Sequence, residues 1–436
     1  MAISGTMPRR EFFVRSGAAT AAALTAGRSA PRAEGASEQK DGLLFSVPLT
    51  HSDWMLRSGA SWGPQGVRHM LDTCKATGWT RIHWRVFDGG RALYRSKLMD
   101  PQGKWEEDNY HRQHGNLEIL RKFESLDYAR FDPLAEAVRY GHQIGLEIYA
   151  WASVNEDDHG WGLRSRFAKR HPQCRWRKRD GTFYRSQMSF AFPAVVEYKL
   201  ALVEELLDGY AIDGLFIDWI RTGDVRDNPQ NDRNGVADRG YEQPLVDGFK
   251  ARYGIDRQRL ANGDNRWIRF RAEPHTQFMR GVRKLTRAKR PARLPIAVLV
   301  GHPWLYRGDR DKIAGNLPGL LLDVATWARE GLIDEAVPAG YYLDGGNAER
   351  AYEALRAETG NRVPVAMYCW VPGSPQQFLA DYQIAKRVAA KQMLFWEADY
   401  IDGLERHARE EIQQVMRAHS RRGEAPQADH RPDAVR

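Results

Sequence analysis

From residue 41 onward the chain alternates short, continuously apolar runs with longer amphipathic stretches. The runs are 43–49, 80–87, 146–154, 212–219, 294–300, 334–342, 363–370 and 392–399. They are too short for helices and lack the in–out alternation of a half-exposed strand, so they predict strands buried on both faces. Between them lie helical patterns at 64–77, 132–144, 193–210, 242–253, 267–289, 317–331, 347–358 and 376–390. Two open with proline at the first helical position, Pro64 and Pro193, and a third opens Asp132-Pro133, a cap followed by proline. Strands alternating with helices predict an α/β fold, a single (β/α)8 TIM barrel. A doubly wound sheet is the other reading, but no Gly-rich phosphate turn follows the first strand. No break in composition divides the chain and no repeat is visible. The barrel is therefore placed at 37–415 and a polar, disordered C-terminal tail at 416–436.

The first 36 residues read differently. Thr6-Met-Pro-Arg-Arg-Glu-Phe-Phe-Val-Arg15 precedes a weakly apolar run of small residues at 16–27. A basic region, paired arginines and a small-residue stretch in that order resemble a twin-arginine signal peptide, which predicts a periplasmic or secreted protein exported already folded. These residues hold five arginines against two glutamates, a third of the formal net charge of +9. What remains is too mild to argue for nucleic acid. No run of about 18 apolar residues exists to span a membrane. Three cysteines (Cys74, Cys174, Cys369) lack metal-ligand spacing, and no metal or cofactor is expected.

In a barrel of this kind the site is built where strands end. Strand two ends at Asp88. Strand three carries Trp151 and ends in Asn155-Glu156-Asp157. Strand four ends at Asp218, with Trp219 and Arg221 behind it. Strand five is followed by His302 and Trp304, and strand six by Tyr341-Tyr342-Leu343-Asp344. Strand seven ends in Trp370, and strand eight in Trp396-Glu397-Ala398-Asp399. Carboxylates among aromatics fit glycoside chemistry. Acetal cleavage needs one acid to protonate the leaving oxygen and one carboxylate to attack carbon or activate water. Flat aromatic faces suit the apolar C–H faces of sugars, and fourteen tryptophans supply them. No Gly-x-Ser-x-Gly elbow is present, which weakens serine hydrolysis.

Asp218 is the sharpest residue, because a carboxylate inside so apolar a strand is costly unless paired or used. Asp213, in an Asp-Gly step before the strand, reads as structural. The segment Tyr210-Ala-Ile-Asp-Gly-Leu-Phe-Ile-Asp-Trp-Ile-Arg221 resembles the fourth-strand signature of glycosyl-hydrolase-like family 10 barrels. The lead-in is similar too: His171-Pro172 with Trp176, then Arg179-Asp-Gly181, then Phe192-Pro193 and the helix through Leu206-Leu207. The resemblance implies a TIM barrel that hydrolyses glycosidic bonds of a polysaccharide or oligosaccharide, with Asp218 as the fourth-strand carboxylate. The chain departs from that family at strand six, where it has Pro338-Ala-Gly-Tyr-Tyr342.

Glu397 is the first choice as partner of Asp218, since an apolar neighbourhood between Trp396 and Ala398 would raise its pKa toward that of a usable acid. Asp344 is the second choice. Asp88, Trp151, Asn155, Glu156, Arg221, His302, Tyr342, Trp370 and Trp396 are candidate substrate contacts. Arg164, Arg166, Lys169, Arg170, Arg175, Arg177, Lys178, Arg179 and Arg185 crowd one loop region. Rimming the cleft, they would favour an anionic glycan; as a solvated face they would not. Two rival readings stay open: a catalytically silent glycan-binding barrel, and a metal-dependent hydrolase on the same fold.

Overall fold

The computed structural model describes residues 42–58, 60–103, 117–155, 157, 164–218, 220, 239–290, 292–301, 316–339 and 347–420. The expected signal peptide lies outside the described residues. Eight parallel strands form one sheet: β1 (Leu44–Leu49), β2 (Arg81–Asp88), β3 (Glu147–Ser153), β4 (Gly214–Asp218), β5 (Ile296–Gly301), β6 (Glu335–Ala339), β7 (Met367–Trp370) and β8 (Gln392–Trp396). Their order is β7-β8-β1-β2-β3-β4-β5-β6. The two edges meet where the Ala336 N–H donates to the Pro364 carbonyl and the Ala366 N–H donates to the Ala336 carbonyl, both at 3.0 Å. The sheet is thus nearly closed into the expected (β/α)8 barrel.

Each strand divides its side chains between two cores. On β3, Ile148, Ala150 and Ala152 face the surrounding helices, while Tyr149 and Trp151 point into the barrel. Both sets are apolar, which is why the runs show no alternation in sequence. Gly214 exists for the inner set: a Cβ there would sit 2.4 Å from the Tyr149 ring. Asp213 accepts from the Ile148 N–H at 2.7 Å and contacts His142 Nε2 at 2.9 Å, so it is structural as expected. The barrel floor is polar. Arg81 bridges Glu147 (2.7 Å) and Glu335 (2.9 Å), and Gln392 donates to Ser46 and Glu335, both at 2.9 Å.

The outer layer is α1 (Pro64–Thr77), α2 (Pro133–Gln143), α3 (Pro193–Gly209), α4 (Asn265–Lys289), α5 (Val324–Arg329), α6 (Asn347–Glu358), α7 (Pro375–Arg387) and α8 (Arg406–His419). Two expectations need correction here. The helix Gln243–Tyr253 is not one of the eight that follow the strands; it lies in the β4-to-α4 connection, in a side cluster with Trp267 and Phe270. The eighth is α8, which runs beyond the expected boundary at 415. Met416 is fully buried in it, and Ser420 pairs with Leu43. Of the expected tail, residues 421–436 lie outside the described residues.

Candidate active site

Asp218 closes β4 on its inward face, opposite Ser153 of β3, and is wholly buried. Trp151 Nε1 donates to its Oδ2 at 2.9 Å. The indole ring in turn meets Trp396 edge-on, with centroids 5.3 Å apart. Trp396 stacks on Tyr368 at 5.9 Å, and Tyr368 stands perpendicular to Trp370 at the same distance. Trp370 is half-buried, whereas Trp151 and Trp396 are buried. The two buried indoles therefore hold the wall of the site, and Trp370 retains exposed surface at its mouth.

The centre of charge is Arg85, which the sequence analysis did not single out. Its Nη2 lies 2.8 Å from Asp88 and 3.2 Å from Ser153 Oγ, to which it donates; its Nε donates to the Phe87 carbonyl at 3.3 Å. The guanidinium sits 4.5 Å from the centroid of the Trp151 ring. Burial opposes its charge, but Asp88, Asp53, Glu397 and Asp218 outweigh that and push its pKa up. Carboxylates from β2, β8, β4 and the helix after β1 thus converge on one cation. A signal existed in the sequence. Arg81, His83 and Arg85 occupy every second position of an otherwise apolar strand, which sends all three into the barrel. Asp53, two residues beyond His51 after β1, carried no comparable signal.

Glu397 follows β8 and is 6% exposed. Trp396 and Ala398, which flank it, are buried with it. The charge of Glu397 raises the pKa of both Arg85 and Arg57, behind the stronger contributions of Asp88 and Asp399 respectively and against the effect of burial. Positive charge at that range favours an ionised carboxylate. Asn155 is completely buried, and both its amide atoms lack a hydrogen-bond partner among the described residues. Asp157 is spoken for, held at 2.6 Å by Lys199 of α3. Among the remaining candidates, Glu156, Arg221, His302, Tyr342 and Asp344 lie outside the described residues. His51, also missed, follows β1 buried against Trp62 at 5.0 Å; burial lowers its pKa to about 4, so the imidazole is neutral at ordinary pH.

The basic run is divided between a short helix, Arg166–Arg170, and a hairpin, Arg175–Arg177 paired with Phe183–Met188, both in the β3-to-α3 connection. Arg179 donates to the Leu260 carbonyl (2.6 Å) and to Asn262 Oδ1 (3.0 Å). Arg177 donates to the Gly181 carbonyl (2.9 Å), Arg175 to the Pro172 carbonyl (3.1 Å), and Arg166 pairs with Asp100 (3.2 Å). These side chains knit backbone together before they face any ligand.

The sequence profile of glycosyl hydrolase-like family 10 matches residues 62–374, well over half of the chain. The chain belongs to that family. The glycosyl hydrolase-like match includes Asp218 and Arg85 but stops short of β8 and Glu397. No functionally curated protein matches the chain. Among solved structures it is similar to α-L-fucosidase isoenzyme 2 from Paenibacillus thiaminolyticus (TM-score 0.56, 14% identity, 86% of this chain and 49% of the fucosidase). It therefore spans about half the length of that enzyme. It is similar to the PgaB (BpsB) glycoside hydrolase domain from Bordetella bronchiseptica (TM-score 0.56, 10% identity, 86% and 99% covered). A third is the catalytic domain of β-amylase from Paenibacillus polymyxa (TM-score 0.56, 9% identity, 87% and 98% covered). At these identities the likeness is one of fold: this is a glycoside-hydrolase-type barrel.

Proposed function

We propose that the protein is an exported glycoside hydrolase that cleaves a polysaccharide or oligosaccharide with the carboxylates of Asp218 and Glu397. The observation that carries this reading is geometric: Trp151 holds Asp218 through its N–H and packs edge-on against Trp396, the residue that immediately precedes Glu397 at the end of β8. One carboxyl group protonates the leaving oxygen; the other attacks the anomeric carbon or activates water. Asp218, fixed in place by the Trp151 N–H that its Oδ2 accepts, is suited by position to the second role, which leaves the first to Glu397. Trp370 offers a sugar ring an apolar face, and the unpartnered amide of Asn155 offers it a donor and an acceptor. Asp344 stays a second option for the partner of Asp218. The twin-arginine resemblance of residues 6–15 supports export.

The test is turnover on a panel of glycans, neutral as well as uronate- and sulfate-bearing, with Asp218→Asn as the control. Asn keeps an oxygen that can accept from Trp151 Nε1, so the fold survives. Loss of the carboxylate should cost at least the ~10²–10⁴-fold that general acid–base catalysis supplies. A folded Asp218→Asn protein that retains wild-type rates would remove Asp218 from the chemistry. Unchanged glycan affinity without any turnover in the wild type would favour the silent binding barrel.

A further inference from the structure

The turn that carries Glu397 is clamped from outside the family-matched segment. Soon after β8, residues Ala398–Gly403 form about two turns of tight 3₁₀-helix. Facing them is the short helix His51–Ser58 that follows β1. Arg57 Nε pairs with Asp399 Oδ2, and the Arg57 guanidinium lies 4.0 Å from the centroid of the Tyr400 ring. One turn earlier on the same helix, Trp54 Nε1 donates to Asp402 Oδ2 at 2.6 Å. Asp402 is further fixed by Arg409 of α8 (2.8 Å) and His69 of α1 (3.1 Å). Asp399 is 2% exposed and Asp402 4%, so both anchors are shielded from competing water.

We propose that Arg57 is a positioning residue for Glu397: it fixes the backbone that follows Glu397 through Asp399 and supplies positive charge to the Glu397 carboxylate. The inference rests on the reading of Glu397 as one of the reacting carboxylates. The spacing makes the double grip physically economical. Arg57 and Trp54 are three apart on one helix face, and Asp399 and Asp402 are three apart on the turn. Two parallel contacts therefore resist both sliding and rotation of the segment. The groups that face Glu397 electrostatically are Arg57 from this helix and Arg85 from β2, each of which responds to its charge. Asp399 and Tyr400 flank it on its own turn, and Asp218 shares Arg85 with it. Removing Arg57 thus takes one of these two cations from Glu397 and one partner from Asp399.

The experiment compares wild type, Arg57→Gln and Arg57→Lys in the full mature chain. On whichever glycan the panel identifies, Arg57→Gln should lower kcat about tenfold with little change in KM. The limb of the pH profile that belongs to Glu397 should move upward by about half a pH unit or more, since less positive charge makes a carboxyl harder to ionise. Arg57→Lys keeps the charge without the planar fork; it should restore the limb and only part of kcat. A substrate-free arm reads the same quantity: the ¹³C carboxyl titration of labelled glutamate, assigned by its loss in Glu397→Gln, should move upward in Arg57→Gln and return in Arg57→Lys. A purely structural Arg57 would lower thermal stability in both variants and move neither the limb nor the titration; that result overturns the proposal. If the wild type cleaves no glycan while the carboxyl titration shifts as expected, the functional reading fails and the positioning by Arg57 stands.

Discussion

Arg85→Gln should destabilise the protein strongly at neutral pH and much less at mildly acid pH. The substitution removes the one buried cation that four carboxylates share. The Asp88 contact at 2.8 Å involves side chains only 8% and 14% exposed. Breaking a buried pair from one side costs about 3–5 kcal/mol, because the surviving charge is left uncompensated. The lost cation–π contact with Trp151 adds about 1 kcal/mol; Gln recovers part of it by hydrogen bonding to Ser153. The expected net loss is about 4 kcal/mol, large against a total stability of roughly 5–15 kcal/mol. The pH sign follows from linkage. Without Arg85, the buried Asp218 and Glu397 keep the desolvation of their site and lose a cation, a change that should raise their folded-state pKa values relative to the unfolded chain. The folded variant then binds more protons than the unfolded chain, and its stability falls as pH rises through that window. Chemical denaturation of wild type and variant at about pH 5 and about pH 7.5 should show a deficit that grows with pH. Arg85→Lys should lie between them, keeping charge but losing the fork. A deficit under ~1 kcal/mol, the value typical of an exposed pair, or one independent of pH, would refute the shared-cation account.

Other outcomes follow from single contacts. Gly214→Ala forces a methyl into the Tyr149 ring and should cost about 1–3 kcal/mol by overpacking, read as a lowered melting temperature. His142 has its pKa raised by its hydrogen bond to Asp213. Its contribution should be complete below about pH 6.5 and fade as pH rises through the raised value, so His142→Ala and wild type should converge in denaturation midpoint in alkaline buffer. Arg179→Glu should destabilise the hairpin by losing its contacts to Leu260 and Asn262, with glycan binding no more salt-sensitive than in wild type. Replacing Arg9 and Arg10 with lysine should leave the precursor in the cytoplasm, as fractionation would show.

The barrel was legible because its strands are buried twice, and double burial leaves short apolar runs that need no alternation to be recognised. Boundaries and bookkeeping were harder. α8 has only Ile412 and Met416 fully buried, in a stretch rich in charged and polar residues, so its pattern predicts no helix and its last turn falls in the expected tail; Gln413 reaching Thr77 of α1 ties it to the barrel. Gln243–Tyr253 has as strong a pattern as a barrel helix because it has a core of its own against Trp267 and Phe270. At the site, Asp218 stood out by chemical contrast with its apolar strand. Arg85 did not, because Arg81 and His83 share its face of β2 and nothing in the sequence tells which of the three lies at the mouth. In the basic run, arginine density is visible in sequence, whereas the backbone carbonyls that Arg175, Arg177 and Arg179 meet are brought close only by the fold.

The inward positions of β2 explain why a charged site can sit on so apolar a barrel. Arg81 lies in the floor with Glu147 and Glu335; Arg85 lies at the mouth with the four carboxylates. Between them His83 packs against Phe216 at 4.1 Å and edge-on to Tyr149 at 5.6 Å. Burial, and next the nearby Arg81, push its pKa well down, so this middle layer is neutral. The two charged layers are separated by aromatic rings and an uncharged imidazole. Each must therefore balance its own charge locally, since a low-dielectric layer screens poorly but offers no counter-ion. The floor balances Arg81 within its own ring of contacts with Glu147 and Glu335. The mouth sets one arginine from the barrel wall against four carboxylates, and Arg57 reaches in from outside to pair with Asp399 beside Glu397. An excess of acid at the open end of a closed, otherwise neutral core is the condition a carboxylate pair needs if one member is to hold a proton while the other does not. That is the physical reason for placing the chemistry at the ends of β4 and β8 and not elsewhere on the barrel.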